Sequence, residues 1–353
     1  MRVPKDYRQR SQSWTLSSPL CWAGRELKNR LQLAPMAGPG GLAFRRICED
    51  WGAGLTITEL VSARAIVYDP SFDHNARYLD ISSLQGPATI QLFAFDPLDL
   101  KKAIPRLLNH PLYSQTACID LNMGCPVKKV VKTGAGSALM KTPDLAARLV
   151  EAAVETALPY GKEVTVKFRS GWDQDHINAP YFAQRLEEAG ASALALHART
   201  REQMYSGQAD WNIIGETACK VRIPLAANGD IQSWDDCHKL LDTYGADACM
   251  IGRAALGRPW IFAEILAADQ KRPFQPPEGQ AWADHIFRHY QLSAQALGPE
   301  LAMREFRTSL SYYFKGLRGA AGFRRSLSSL TSQQDLEALL AEVVHANRSE
   351  QDG

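Results

Sequence analysis

The sequence predicts an α/β protein, a (β/α)8 TIM barrel followed by a small all-α helical domain. Three observations carry that expectation. Short β-type apolar runs alternate with amphipathic helix-type runs from residue 31 to about 268. The β-type runs are mostly apolar throughout, which marks a parallel sheet covered on both faces. Polar residues and glycines gather where the runs end, as they do at the C-terminal mouth of a barrel.

Taken in order, the strand candidates are Leu31–Met36, Leu55–Glu59, Ala88–Phe93, Cys118–Leu121, Val164–Phe168, Ala193–Leu196, Ile223–Ala227 and Ala248–Ile251. Each leads, directly or through an insertion, to a helix candidate such as GLAFRRICEDWG, PLDLKKAIPRLLNH, PDLAARLVEAAVETAL or PYFAQRLEEAG. Eight units in about 240 residues fit a barrel with its active site at the strand C-termini. Counting units does not prove closure, so the same alternation also fits an open doubly wound sheet. The segment DQKRPFQPPEGQ, residues 269–280, is rich in Pro, Gln and charge and reads as a linker. Beyond it the pattern is helical to about residue 345. The expected division is an N-terminal extension 1–23, a barrel 24–268, the linker, and a helical domain 281–353.

Composition narrows the class. Hydrophobic residues at 45% and charged residues at 22% describe an ordinary globular chain. A net charge of +2 and a pI near 8.1 neither demand nor exclude nucleic acid, so only local clustering of charge can argue for it. The seven cysteines are odd in number and contain no C-x-x-C pair, and no His pair stands at zinc-ligand spacing beside them. That argues against a disulfide framework and a structural zinc, so no metal is expected, and it suits a reducing cytoplasm. The first 30 residues lack the apolar core of a signal peptide, and no uncharged run is long enough to span a bilayer. The expectation is therefore a cytoplasmic protein without a membrane partner.

The strand ends carry the chemistry. The fourth run breaks into DLNMGCPVKKVVKTGAGSALM, placing Cys125 just past a buried strand, beside Pro126 and three lysines. A structural cysteine belongs inside the apolar run; this one stands on a mouth loop. Asn228-Gly229-Asp230 and Gly252-Arg253 end the last two strands and are each expected to open a helix. Backbone N–H groups and helix dipoles there would form the phosphate site common in barrels. Lys167 sits within VTVKF, pointing opposite to its valine neighbours, and an inward lysine needs an anion or an electron-rich ring. His197 likewise follows an apolar run. Gln91 offers both a donor and an acceptor, which suits the imide edge of an isoalloxazine ring. A phosphate site, a lysine, an amide and the backbone turn at Pro35-Met36-Ala37 are the contacts that flavin mononucleotide (FMN) requires. A competing pattern, GPGGLA from Gly38 to Ala43 with Glu59 about twenty residues on, matches a dinucleotide fingerprint. The proline inside the turn and the phosphate-like pair at the far end of the chain stand against it.

The segments LAPMAG, QLFAFDP, DLNMGCPVKKVVKTGAGSALM, KFRSGWD, HARTREQMYSGQADW, AANGDI and MIGRAALGRPWIF together resemble the tRNA-dihydrouridine synthases, and most closely their bacterial B-type branch. The resemblance runs in order over about residues 24 to 330. It implies an FMN-bearing barrel, a C-terminal helical tRNA-binding domain, and NADPH-driven reduction of the C5=C6 bond of selected uridines in tRNA. Carried over residue by residue, it implies Pro35, Met36 and Ala37 lining the flavin, with Gln91 and Lys167 at its pyrimidine edge. Asn228, Gly229, Asp230, Gly252 and Arg253 would hold the ribityl phosphate with His197 nearby, and Cys125 would be the catalytic acid. The sequence departs from the family at MAGPGG, where relatives read more like MAGVTD.

The chemistry is consistent with these types. Hydride delivered to C6 of uracil leaves a carbanion at C5 that needs a proton, and a thiol of pKa about 8.5 is protonated at neutral pH. Lys128, Lys129 and Lys132 around the cysteine, with Arg199, Thr200, Arg201 and Tyr205 on a further mouth loop, would meet tRNA phosphates. Residues 304–325 hold six basic residues against the single acid Glu305. Among them Arg304, Arg307, Lys315 and Arg318 are expected on one helical face, beside a buried stripe of Met303, Phe306, Leu310, Tyr313 and Leu317. Two other readings use part of this pattern. An FMN barrel acting on a free pyrimidine, similar to dihydroorotate dehydrogenases, leaves the basic helices idle; a non-catalytic tRNA-binding protein leaves Cys125 idle.

Overall fold

The computed structural model describes residues 15–69 and 71–347. At its centre eight parallel strands form a closed barrel: Leu31–Leu33, Leu55–Ser62, Ala88–Phe93, Ile119–Met123, Val164–Arg169, Ala193–His197, Leu225–Asn228 and Ala248–Ile251, here barrel strands 1 to 8. Strand 8 pairs with strand 1 through Cys249–Leu31, Met250–Gln32 and Ile251–Leu33, so the sheet closes and the open alternative is excluded. All eight expected strands are present; Ala88–Phe93 and Ala248–Ile251 keep the expected bounds, and the other six shift at one end or both. Strand 1 stops before Met36 because Ala34 N–H makes the last ladder bond, to Ile251 O at 2.8 Å, and Pro35 has no N–H to continue. Strand 2 runs three residues past Glu59, to Ser62, through a register shift between Ile57 and Leu60. Strand 4 starts one residue late and reaches Met123; strands 5, 6 and 7 each end one residue beyond the apolar run, at Arg169, His197 and Asn228.

Along each strand alternate residues face opposite sides. One set, such as Leu31, Ile90, Val164, Val166 and Phe168, packs outward against the helices in the main core. The other set faces the barrel interior, and toward the strand N-termini it is apolar, with Leu55 and Ile57 beside the small Ala193, Ala226 and Ala248. An antiparallel hairpin, Leu20–Trp22 with Arg25–Leu27, inserts Leu20, Trp22 and Leu27 into that same cluster. The alanines leave space that the indole and the leucines fill. The expected boundary after residue 23 therefore falls inside the turn of this hairpin, whose side chains complete the barrel interior; residues 1–14 of the expected extension lie outside the described residues.

After helix Ile261–Asp269 the chain is irregular until helix Gly279–Leu297, followed by Pro299–Tyr313, Ala320–Ser326 and Gln333–Ala346. These helices share their own apolar cluster, built on Tyr290, Phe306, Leu310, Phe314, Leu336 and Leu340. They meet the barrel along helix Leu42–Asp50, where Arg288 pairs with Asp50 at 2.6 Å. Inside the seam Trp51 Nε1 donates to His285 Nδ1 at 3.3 Å, and Tyr313 OH lies 3.1 Å from His289 Nδ1. Burial lowers His285 to about 4 and His289 to about 3, so both are neutral at pH 7.

The expected basic face of this region is corrected. Met303, Phe306, Leu310 and Tyr313 are buried as the pattern requires, but the helix ends at Tyr313 and Gly316 turns the chain with φ +87°. Lys315 and Arg318 therefore lie beyond the helix that carries Arg304 and Arg307. Arg307 is held inward, its Nη2 donating to Leu330 O at 2.6 Å, while Arg304, Lys315 and Arg318 are exposed.

Candidate active site

Strand 4 carries Asn122 to the barrel mouth, and the backbone of Cys125 is fixed at both ends. Its N–H donates to Asn122 Oδ1 at 2.9 Å, as does Gly124 N–H at 3.2 Å. Its carbonyl accepts from Ser137 N at 3.1 Å and from Ser137 Oγ at 2.9 Å. That second clamp accounts for the Gly-Ala-Gly-Ser turn. Gly136 has φ +59°, and a Cβ there would stand 2.8 Å from Cys125 O, so only glycine brings Ser137 back onto the cysteine. Between the clamps the short helix Lys128–Val131 leaves Lys128, Lys129 and Lys132 exposed. Burial raises the Cys125 thiol above its ordinary value, with Val127 N–H, Arg169 and Lys167 opposing, so the thiol is protonated at neutral pH.

Around it the inward residues at the strand C-termini are polar. Lys167 Nζ donates to Asn228 Oδ1 at 2.9 Å, and Asn228 Nδ2 donates to Met250 O at 2.7 Å. Burial and the adjacent Arg169 lower Lys167 to about 7, against the pull of Asp120. Burial, then Lys167, Arg169 and Arg199, hold His197 well below its ordinary value, so its imidazole is neutral. Gln91 donates to Asp120 Oδ2 at 2.6 Å and accepts from Asn122 Nδ2 at 2.8 Å. Arg169 donates to Gly124 O at 2.8 Å and to Thr200 O and Met204 O at 2.9 Å each, tying the cysteine loop to the loop after strand 6. Asp120, Asn122, Thr165 and Arg169 were not singled out from the sequence. Their signal was available: each is polar at the inward parity of an apolar strand, as Gln91 and Lys167 are.

The loops after strands 7 and 8 differ from expectation. Asn228-Gly229-Asp230 does not open a helix; the next helix is Trp234–Asp242, started by a Ser233–Asp236 capping box. Gly229 and Asp230 instead take positive φ, +118° and +56°. Strand 8 is followed by one 3-10 turn, Arg253–Ala255. The Asp230 carboxylate is already engaged, by Arg199 at 2.6 Å, Ala209 N–H at 2.8 Å and Arg253 at 3.4 Å, so at this position an anion could meet only the backbone. This also corrects Arg199, which is 2% exposed and locked in that ion pair rather than facing a partner. Arg201 is half-buried with its guanidinium 4.6 Å from the Trp172 ring, whereas Tyr205 is exposed and lies 4.9 Å from Arg253.

Pro35, Met36 and Ala37 leave strand 1 at the same mouth. Gly40 N–H closes a turn onto Met36 O at 2.9 Å, where a Cβ on Gly40 would come within 2.2 Å of that oxygen. Gly38 N–H donates to Glu59 Oε2 at 2.7 Å. The glycines thus shape a rim turn of a closed barrel, and Glu59 holds that turn rather than a dinucleotide ribose. Beside it a cavity of about 570 Å³ separates the rim from the helical region, lined by Ala37, Glu59, Arg77, His289, Glu305 and Phe306 among others. Neither Cys125 nor Lys167 lines it. All seven cysteines are free, and no helix among the described residues is long and apolar enough to cross a membrane. No cluster of three or more His, Cys, Asp or Glu among the described residues could hold a metal.

Known proteins match both the chain and its fold. Solved structures of morphinone reductase in complex with tetrahydroNAD and of the old yellow enzyme from Trypanosoma cruzi each cover 76% of this chain at a TM-score of 0.51. They span 94% and 95% of those chains, at 13% and 10% identity, which is a likeness of fold alone. Among curated proteins, tRNA-dihydrouridine synthase B of Vibrio cholerae is 37% identical over 320 residues, 89% of this chain and 95% of that one. The protein of the same name from Pseudomonas aeruginosa is 38% identical over 321 residues, 90% of this chain and 92% of its own. The family described as Dihydrouridine synthase (Dus) matches residues 32–349, nearly the whole chain. With the closed barrel and the polar ring around Cys125, these matches place the chain in the dihydrouridine synthase family of flavin-dependent oxidoreductases.

Proposed function

We propose that this chain is a tRNA-dihydrouridine synthase that reduces the C5=C6 bond of specific uridines in tRNA, with FMN bound and NADPH as electron donor, in the cytoplasm. The observation that carries the reading is a protonated thiol, Cys125, clamped at the barrel mouth among cationic and amide side chains. The residues fit a flavin. Lys167 has only a neutral amide oxygen as its described hydrogen-bond partner and sits near its half-charged point, so an electron-rich ring edge would stabilise its ammonium form. Gln91 retains one N–H and one lone pair beyond those given to Asp120 and Asn122. The amides of Gly229 and Asp230 make no turn or cap hydrogen bond among the described residues, and with Gly252 and the Arg253 side chain they suit a phosphate. Pro35, Met36 and Ala37 would border the ring. Bound there, a flavin would supply the hydride for C6 of uracil.

The chain's own residues do the rest. Cys125 gives its proton to C5, and its raised pKa keeps that proton in place at neutral pH. Lys167 and Arg169 flank the resulting thiolate and favour its formation. The exposed Lys128, Lys129 and Lys132, with Arg201 and Tyr205 across the mouth, would hold phosphates and bases near the extruded uridine. Cys125→Ala tests the reading: dihydrouridine formation in tRNA should fall roughly a hundred-fold or more, while flavin content and NADPH oxidation persist. Normal dihydrouridine formation by that variant would remove the thiol from the mechanism.

A further inference from the structure

A carboxylate inside the barrel has no part in the chemistry above. Asp120 lies on strand 4 and is 2% exposed. Its Oδ2 accepts from Gln91 Nε2 at 2.6 Å and its Oδ1 from Thr165 Oγ1 at 2.6 Å. Its cationic neighbour Lys167 bonds Asn228 instead. Burying a charge without a direct ion pair is costly, and a threonine or serine would have served a merely packed interior.

What the carboxylate does is visible in the bonds that follow it. Gln91 turns its NH2 to Asp120, so its carbonyl faces Asn122 and accepts from Nδ2 at 2.8 Å. Asn122 therefore presents its own carbonyl to the mouth loop, where it accepts from Cys125 N–H at 2.9 Å and Gly124 N–H at 3.2 Å. An amide side chain can sit either way round; an ionised carboxylate can only accept. We propose that Asp120 is a positioning residue that fixes the direction of the Asp120–Gln91–Asn122 hydrogen-bond chain and thereby holds the backbone of Cys125 in its proton-donating place. If the chain reversed, Asn122 would turn an NH2 onto two N–H groups and the loop would lose its inner clamp, leaving only Ser137. Because Gln91 also borders the flavin site, the same carboxylate sets which of its atoms faces the ring.

The inference rests on Cys125 as the proton donor for its meaning, but its test does not. Asp120→Asn keeps the size and permits either direction of the chain. In the full-length holoenzyme the variant should keep KM for tRNA and unfold no earlier than the wild type while kcat falls roughly ten- to hundred-fold, the scale seen when groups that orient metal ligands are removed. In parallel, hydrogen exchange at the Gly124 and Cys125 amides should quicken, and peptide-resolved alkylation of Cys125 by iodoacetamide should change relative to the exposed Cys21 and Cys219. Thr89→Val disturbs the same interior at Cys118 and touches no link of the chain, so it should alter none of these. Wild-type kcat and wild-type exchange in Asp120→Asn would overturn the proposal, as would equal changes in Thr89→Val, which would mean general softening of the interior. Should Asp120→Asn not fold, Asn122→Ser cuts the last link: exchange at Gly124 and Cys125 must quicken, and unchanged exchange overturns the proposal. An active Cys125→Ala enzyme would sink the proton-donor reading alone, because the exchange result stands without it.

Discussion

The two ends of the barrel are made from the same strands and the same inward parity, yet they are opposite in character. Along strand 5 the inward residues run Thr165, Lys167, Arg169; along strand 6, Ala193, Ala195, His197; along strand 7, Ala226, then Asn228. At one end alanines and the hairpin's Trp22 form a closed apolar plug. At the other, two to four residues later, the interior holds groups whose protonation is displaced: Lys167 down to about 7 and Asp120 up to about 6, both chiefly by burial. The contrast teaches where each free energy is placed. The plug contributes stability through area removed from water, and the mouth gives up part of it to desolvated polar groups held in fixed geometry.

The largest effect should come from the plug. Trp22→Ala removes an indole that is 3% exposed and should cost about 3–5 kcal/mol of stability, measured by denaturant unfolding, with activity per folded molecule unchanged. Activity lost while the protein is still folded would show that the two ends are not separable.

Next is the pH dependence of the buried carboxylate. Raised from its usual value to about 6, Asp120 holds a proton in the folded protein that the unfolded chain has released between about pH 4 and 6. Stability from this group is therefore present at low pH and is lost as pH rises through that window. At pH 7 the ionised carboxylate costs up to about 3 kcal/mol, so Asp120→Asn should be at least as stable as the wild type there. The advantage should shrink toward pH 4. Cys118, pushed up to about 12, does not titrate in this range, and Lys167 favours the charged carboxylate throughout it. A variant that is both less stable and less active at pH 7 would make Asp120 part of the scaffold, not of the mouth.

Smallest are the surface cations. Replacing Lys128, Lys129 and Lys132 by Gln should flatten the salt dependence of tRNA binding, by roughly 0.7–0.9 in log–log slope for each phosphate that is no longer neutralised. Arg304 and Lys315, exposed but on different segments, should change it less. Arg199→Gln should appear in unfolding curves instead, since its guanidinium is committed to Asp230. An unchanged slope for the three lysines would move the tRNA surface away from the cysteine loop.

Much of this protein was legible in the chain. Apolar runs at regular spacing specify strands, and polar residues at one parity near the run ends specify a mouth, because a strand's side chains alternate regardless of what surrounds it. Cys125, Lys167, Gln91 and the two glycine turns were placed by that local rule. The misread residues share a different property. Arg199 and Arg307 look like surface cations in sequence, and each is withdrawn by a partner more than twenty positions away, Asp230 and Leu330. The expected extension boundary after residue 23 cuts the hairpin Leu20–Leu27, whose place shows only once closure leaves an alanine-lined space for it. Helix capping at Ser233 moved the helix start that Asn228–Asp230 was expected to provide.

The sequence by itself therefore determined the strands, the parity of their side chains and the loop that bears the cysteine, since those follow from bonding between near neighbours. Closure of the sheet, the plug, the direction of the Asp120–Gln91–Asn122 chain and the burial of Arg199 were decided only by tertiary structure. Each depends on which distant strands become adjacent, and hydrogen-bond direction and desolvation exist only once those neighbours have met.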